Sequence, residues 1–120
     1  MENYRNFSVT DSFGTPCLVE FKWQQNAITI RHADAVDVKF EVTSGGIEEE
    51  KVLALSHPFL LKLSAETGRI LSDPWCCKLA AAHLTSMLQT GENIEKTLIT
   101  LSYAEMKHAA EMLDVVSSEA

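Results

Sequence analysis

Val36-Asp37-Val38-Lys39-Phe40-Glu41-Val42-Thr43 decides the fold class of this chain, because apolar residues alternate singly with charged or polar ones along it. Successive side chains of a strand point to opposite faces. Val36, Val38, Phe40 and Val42 therefore share a dry face, and Asp37, Lys39 and Glu41 a wet one. Upstream, the same alternation sets Cys17, Val19, Phe21 and Trp23 against Leu18, Glu20 and Lys22, and Ile28 and Ile30 against Thr29 and Arg31. These read as two further strands. Gln24-Gln25-Asn26 and His32-Ala33-Asp34-Ala35 are too short for a parallel crossover, so the expected topology is an antiparallel meander.

Residues 5–10 add a strand that turns back through Asp11-Ser12-Phe13-Gly14-Thr15-Pro16, where Gly and Pro favour reversal. Ser44-Gly45-Gly46 opens another turn, after which residues 51–55 pair back. The triplet Glu48-Glu49-Glu50 is the only charge run and reads as a solvated turn or strand margin.

Near Ser56 the hydrophobic period changes from two to between three and four, which predicts helices. Ser56 caps a short helix carrying Pro58, Phe59, Leu60, Leu61 and Leu63, with Gly68 as its stop. Asp73 is placed as the N-cap of a second helix over residues 74–90, with Pro74 at its first position and Gly91 beyond its end. Cys76, Cys77, Leu79, Ala80, Ala81, Leu84, Met87 and Leu88 occupy a broad arc of that helix, opposite Lys78, Thr85 and Gln89. Residues 95–101, rich in β-branched side chains, predict a short strand or extended linker. Ser102 and Glu105 stand in capping-box spacing before a last helix. It aligns Met106, Ala109, Ala110, Leu113 and Val116 against Lys107, His108, Glu111 and Asp114. The expectation is an α+β domain over residues 1–120: a four- to five-stranded antiparallel N-terminal meander, then two or three helices packed on one face of the sheet.

Composition narrows the function classes. The 120 residues are 46% hydrophobic and 22% charged, ordinary for one globular domain. Seventeen acidic residues against ten basic ones give a net charge of −7, and no two basic residues are adjacent, which argues against a nucleic-acid partner. The first residues lack the apolar core of a secretory signal and no segment is apolar for the length of a membrane span, so a cytoplasmic protein without a membrane partner is expected. Three cysteines, two of them neighbours, do not form an evenly paired disulfide framework.

The chemistry-bearing candidates are His57, Trp75, Cys76, Cys77 and His83. Thiolate and imidazole are metal ligands, and Cys–His pairs make nucleophiles. Cys76 and His83, however, lie two turns apart, about 10.5 Å along a helix, and adjacent cysteines diverge by about 100° around it. Core packing is the simpler reading of Cys76 and Cys77, although the positive end of the helix dipole favours a thiolate in the first turn. His57, before Pro58, is placed to act as an acid or base at the mouth between sheet and helices, or simply as a polar residue at a helix start. Trp75 falls at the edge of the buried arc, where it packs in the core or lines a groove.

Gly45-Gly46 lacks the Lys and Ser or Thr of a phosphate loop, and no calcium loop, dinucleotide fingerprint or nucleophile elbow is present. No catalytic set and no cofactor are therefore expected. The favoured reading is a non-enzymatic binding or assembly module, homodimeric or bound to another protein, because an open sheet has edges to be covered, charged or paired. The alternatives are a redox- or metal-responsive protein using Cys76 or Cys77 with a nearby histidine, and a small-molecule pocket lined by Phe21, Phe40, Trp75 and Met87.

Overall fold

The computed structural model describes residues 4–27, 35–92 and 94–119. Among these, β1 (Asn6–Thr10), β2 (Pro16–Ala27), β3 (Ala35–Ser44), β4 (Ile47–Ser56) and β5 (Leu98–Thr100) form one sheet in the order β1-β2-β3-β4-β5. The first four strands are the antiparallel meander that their short connections demand. β5 pairs parallel to β4, with α1 (His57–Thr67) and α2 (Asp73–Thr90) forming the crossover that a parallel pair requires. α3 (Tyr103–Glu119) closes the α+β arrangement. α2 lies across β1 to β4, α1 packs on β4, and α3 packs on α2 and α1.

Register explains which face is dry. Phe7, Val19 and Val42 stand in one cross-strand row, Phe21, Phe40 and Lys51 in the next, and then Gln24, Val38, Leu53 and Ile99. Val38, Phe40, Leu53 and Leu55 are completely buried in the core beneath Leu60, Leu79, Leu84 and Met106. Phe40 sits between Phe7 and Phe21 in edge-to-face contacts at 6.3 and 6.0 Å, a geometry that contributes about 0.5–1.5 kcal/mol per pair beyond area burial. The opposite face carries ion pairs, one within β2, Lys22 with Glu20 at 3.3 Å, and two between neighbouring strands, Lys22 with Glu41 at 3.7 Å and Lys39 with Glu50 at 3.1 Å.

Two expectations about β2 are corrected. Gln24, Gln25 and Asn26 are not a turn but the second half of one long strand, paired to Val38, Asp37 and Val36. The Gln24 side chain donates to the Asp73 carbonyl at 3.0 Å, so a residue that reads as turn-forming has a tertiary partner holding it extended. A bulge between Phe21 and Trp23 then breaks the alternation, putting Trp23 opposite Lys39 on the wet face, its ring 5.8 Å from the Lys39 ammonium. The strand expected at Ile28 and Ile30 lies outside the described residues, as do the side chains of Asp114 and Val116; of the turn expected at residues 32–35, residues 32–34 lie outside them and Ala35 is the first residue of β3.

Helix ends follow local chemistry. Ser72, not Asp73, is the N-cap of α2: its hydroxyl accepts from the Trp75 N–H at 3.3 Å, which frees Asp73 for the first turn, where a carboxylate complements the dipole. Ser56 occupies the N-cap position of α1 without a side-chain cap bond. The Ser102–Glu105 box forms reciprocally, with Glu105 N–H to Ser102 Oγ at 3.1 Å and Ser102 N–H to Glu105 Oε1 at 2.9 Å. α2 ends at Gly91, whose φ of +77° is left-handed and whose Cα faces the Ser12 hydroxyl closely enough that an added Cβ would sit 3.2 Å from it.

Candidate functional site

The five residues singled out by their chemistry do not converge. His57 is the first residue of α1, Trp75, Cys76 and Cys77 form the first turn of α2, and His83 lies in the middle of α2. Trp75 is 9% exposed and both cysteines 2%. Burial pushes the Cys76 thiol up to about 11, helped by the Asp73 carboxylate; it does the same to Cys77, against the pull of Arg5. Desolvation is the largest influence on both thiols, and the depressed thiol pKa expected from the first-turn position is not found. His83 is also buried, which lowers its pKa, while Glu105, 3.6 Å from Nε2, pulls the other way. No group of three or more His, Cys, Asp or Glu side chains able to hold a metal ion occurs among the described residues. Among the described residues, no helix is long and apolar enough to cross a membrane.

The residues expected to line a pocket between sheet and helices are mostly buried. Phe40 and Met87 are core residues at 0% and 2% exposure, and Phe21 lines a cleft of ≈ 420 Å³ with Arg5, Trp23 and Asp73. A larger open cavity of ≈ 570 Å³ lies where the β1–β2 and β3–β4 turns meet the end of α2, lined by Asp11, Phe13, Cys17, Ile47, Lys51 and Leu88 among others. Two of its charged groups, Asp11 and Lys51, have protein partners. Asp11 Oδ1 accepts from the N–H groups of Phe13 and Thr15 at 2.9 and 2.8 Å. Lys51, only 2% exposed, donates to the carbonyls of Ile94 and, at 2.7 Å, Lys96, and lies 3.5 Å from Glu49 Oε2. Of the ammonium's three donors, two are taken by these carbonyls, and the Glu49 carboxylate lies close by. Lys51 clamps the chain entering β5 onto β4, a role its sequence position does not reveal.

The sheet edges are treated unequally. On the far side of β4, β5 covers residues 52–54, and beyond it Glu48, Glu49 and Glu50 line the rim. Charges on an edge oppose pairing with another chain. At the other edge, β1 reads Asn6-Phe7-Ser8-Val9-Thr10, with no charge and no proline. Its pairing phase is fixed at both ends, by Phe21 N–H to Arg5 carbonyl at 2.6 Å and Asp11 N–H to Thr15 carbonyl at 2.9 Å. In an antiparallel ladder only alternate residues bond across a given side, so Arg5, Phe7, Val9 and Asp11 bond toward β2. Pro16, which has no N–H, stands opposite Thr10, where that ladder asks for none. The backbones of Ser8 and Thr10 consequently face outward. Sequence alone identifies residues 5–10 as a strand but not as an edge, because strand order is a property of the whole sheet.

Compared with protein-family models, curated proteins and solved structures, the chain matches none.

Proposed function

We propose that this protein is a small non-enzymatic assembly module that works as a homodimer in a reducing, cytoplasmic setting. The observation that carries this reading is the inequality of the two sheet edges: one is capped by β5 and lined with glutamates, and the other is an uncharged strand. Natural sheets guard their edges, and an unguarded one is suited to pairing with a further strand. Three buried free thiols fit a reducing compartment. The scattered histidines and raised thiol pKa values give a catalytic or redox reading less support.

Native mass spectrometry of the intact chain tests the proposal. A mass of two chains is expected; a mass of one chain across the micromolar range refutes it. The cavity of ≈ 570 Å³ favours a second reading, a small-molecule site at the turn end of the sheet. Retained mass of a few hundred daltons that is lost on denaturation would favour that reading.

A further inference from the structure

Resting on the homodimer reading, we infer that the partner of β1 is β1 of a second copy, paired antiparallel about Ser8. The register follows from the phase of the ladder. Ser8 and Thr10 direct their backbone groups away from β2, so a two-fold axis at Ser8 makes Ser8 face Ser8 of the partner subunit as a hydrogen-bonded pair, with Thr10 at the register position of the partner's Asn6. A one-residue slip would oppose backbones whose N–H groups already bond to β2, and would turn Phe7 and Val9 to the wet side of the joint sheet.

Side chains support the same register. Phe7 and Val9 lie on the helix-covered face, Phe7 half-buried and Val9 7% exposed, and each meets the other residue of the partner, which covers the remaining apolar surface of Phe7. At both ends Arg5 stands opposite the partner's Asp11. In a chain of net charge −7, this strand joins two copies without opposing like charges and with an opposite-charge pair at each end. No comparable register exists along Glu48-Glu49-Glu50, where self-pairing would stack carboxylates.

The test uses cysteine cross-linking and a proline edge variant. Hydrogen-bonded antiparallel partners are about 5.5 Å apart at Cα, within the range a disulfide spans. Ser8→Cys is expected to cross-link to a covalent dimer under mild oxidation. Thr100→Cys on the opposite edge and the wild-type chain, whose Cys17, Cys76 and Cys77 are each 2% exposed, are expected to stay uncross-linked. Ser8→Pro removes only an outward N–H and leaves the β1–β2 ladder complete, so it is expected to keep the circular dichroism of the wild type while weakening dimerisation roughly 30-fold or more. Preferential cross-linking of Thr100→Cys, or a folded Ser8→Pro that dimerises as tightly as wild type, overturns the β1 pairing but leaves the dimer standing. A monomeric wild type overturns both readings.

Discussion

Replacing Lys51 with methionine isolates the clamp that attaches β5 to the meander. Methionine fills the space of the lysine stem, so no cavity opens, but the donors to the Ile94 and Lys96 carbonyls are lost. Hydrogen bonds from a charged donor contribute about 1.5–3 kcal/mol each. Ile94 is half-buried and Lys96 exposed, so water recovers part of each bond, and Glu49, 58% exposed at its side chain, was held only weakly. Lys51→Met should therefore cost about 2–4 kcal/mol. With an unfolding entropy of about 0.25 kcal/mol/K for 120 residues, the melting temperature should fall by about 8–16 °C. Hydrogen exchange locates the effect. The Val52 and Leu101 amides, which donate to Thr97 at 2.8 Å and Ala54 at 3.0 Å, should lose protection before those of the β2–β3 ladder. A fall of under about 3 °C, or a fall with unchanged protection at Val52 and Leu101, would show that Lys51 does not hold β5.

Cys76 and Cys77, both raised to about 11, should carry a thiolate fraction of about one in ten thousand at neutral pH and be labelled by iodoacetamide only at the rate of unfolding; rapid labelling of the folded chain at pH 6 would contradict their burial. His83 has a folded pKa below its unfolded value of about 6.5, so between the two the unfolded chain alone binds the proton. Its contribution to stability is thus complete above about pH 6.5 and declines as pH falls toward the folded pKa, and urea titrations of His83→Gln should show a shallower loss between pH 7.5 and 5.5. Gly91→Ala places a Cβ at a φ of +77° and 3.2 Å from Ser12 Oγ, so its urea midpoint should fall in line with a loss of about 1–2 kcal/mol; an unchanged midpoint would contradict the turn geometry.

The parts of the fold that were legible are those set by local periodicity and capping. The alternation at residues 36–43, the capping box at Ser102 and the buried arc of α2 all appear as read. The departures arise where distant groups intervene. Gln24 is held extended by a helix carbonyl far along the chain, a bulge reverses Trp23, and β5 runs parallel because two helices separate it from β4. Lys51 continues the inward series of Leu53 and Leu55, but a lysine at such a position reads as solvent-facing until the carbonyls that receive it are known. The chemistry-bearing residues of α2 were conspicuous by type, yet their own hydrophobic arc already placed the cysteines in the core. The β1 edge was recognisable only as a strand, since its exposure depends on the order of all five.

The parallel attachment of β5 also constrains how the chain is made. β1 to β4 form from neighbouring segments, whereas β5 meets β4 only after both crossover helices have been synthesised, and closing so long a loop is entropically slow. Until Leu98–Thr100 docks, the stretch Val52-Leu53-Ala54-Leu55 is a bare apolar rim opposite the already open β1. A chain emerging from the ribosome therefore passes through a stage in which it is sticky on two sides, and the glutamates just before that rim oppose premature aggregation there.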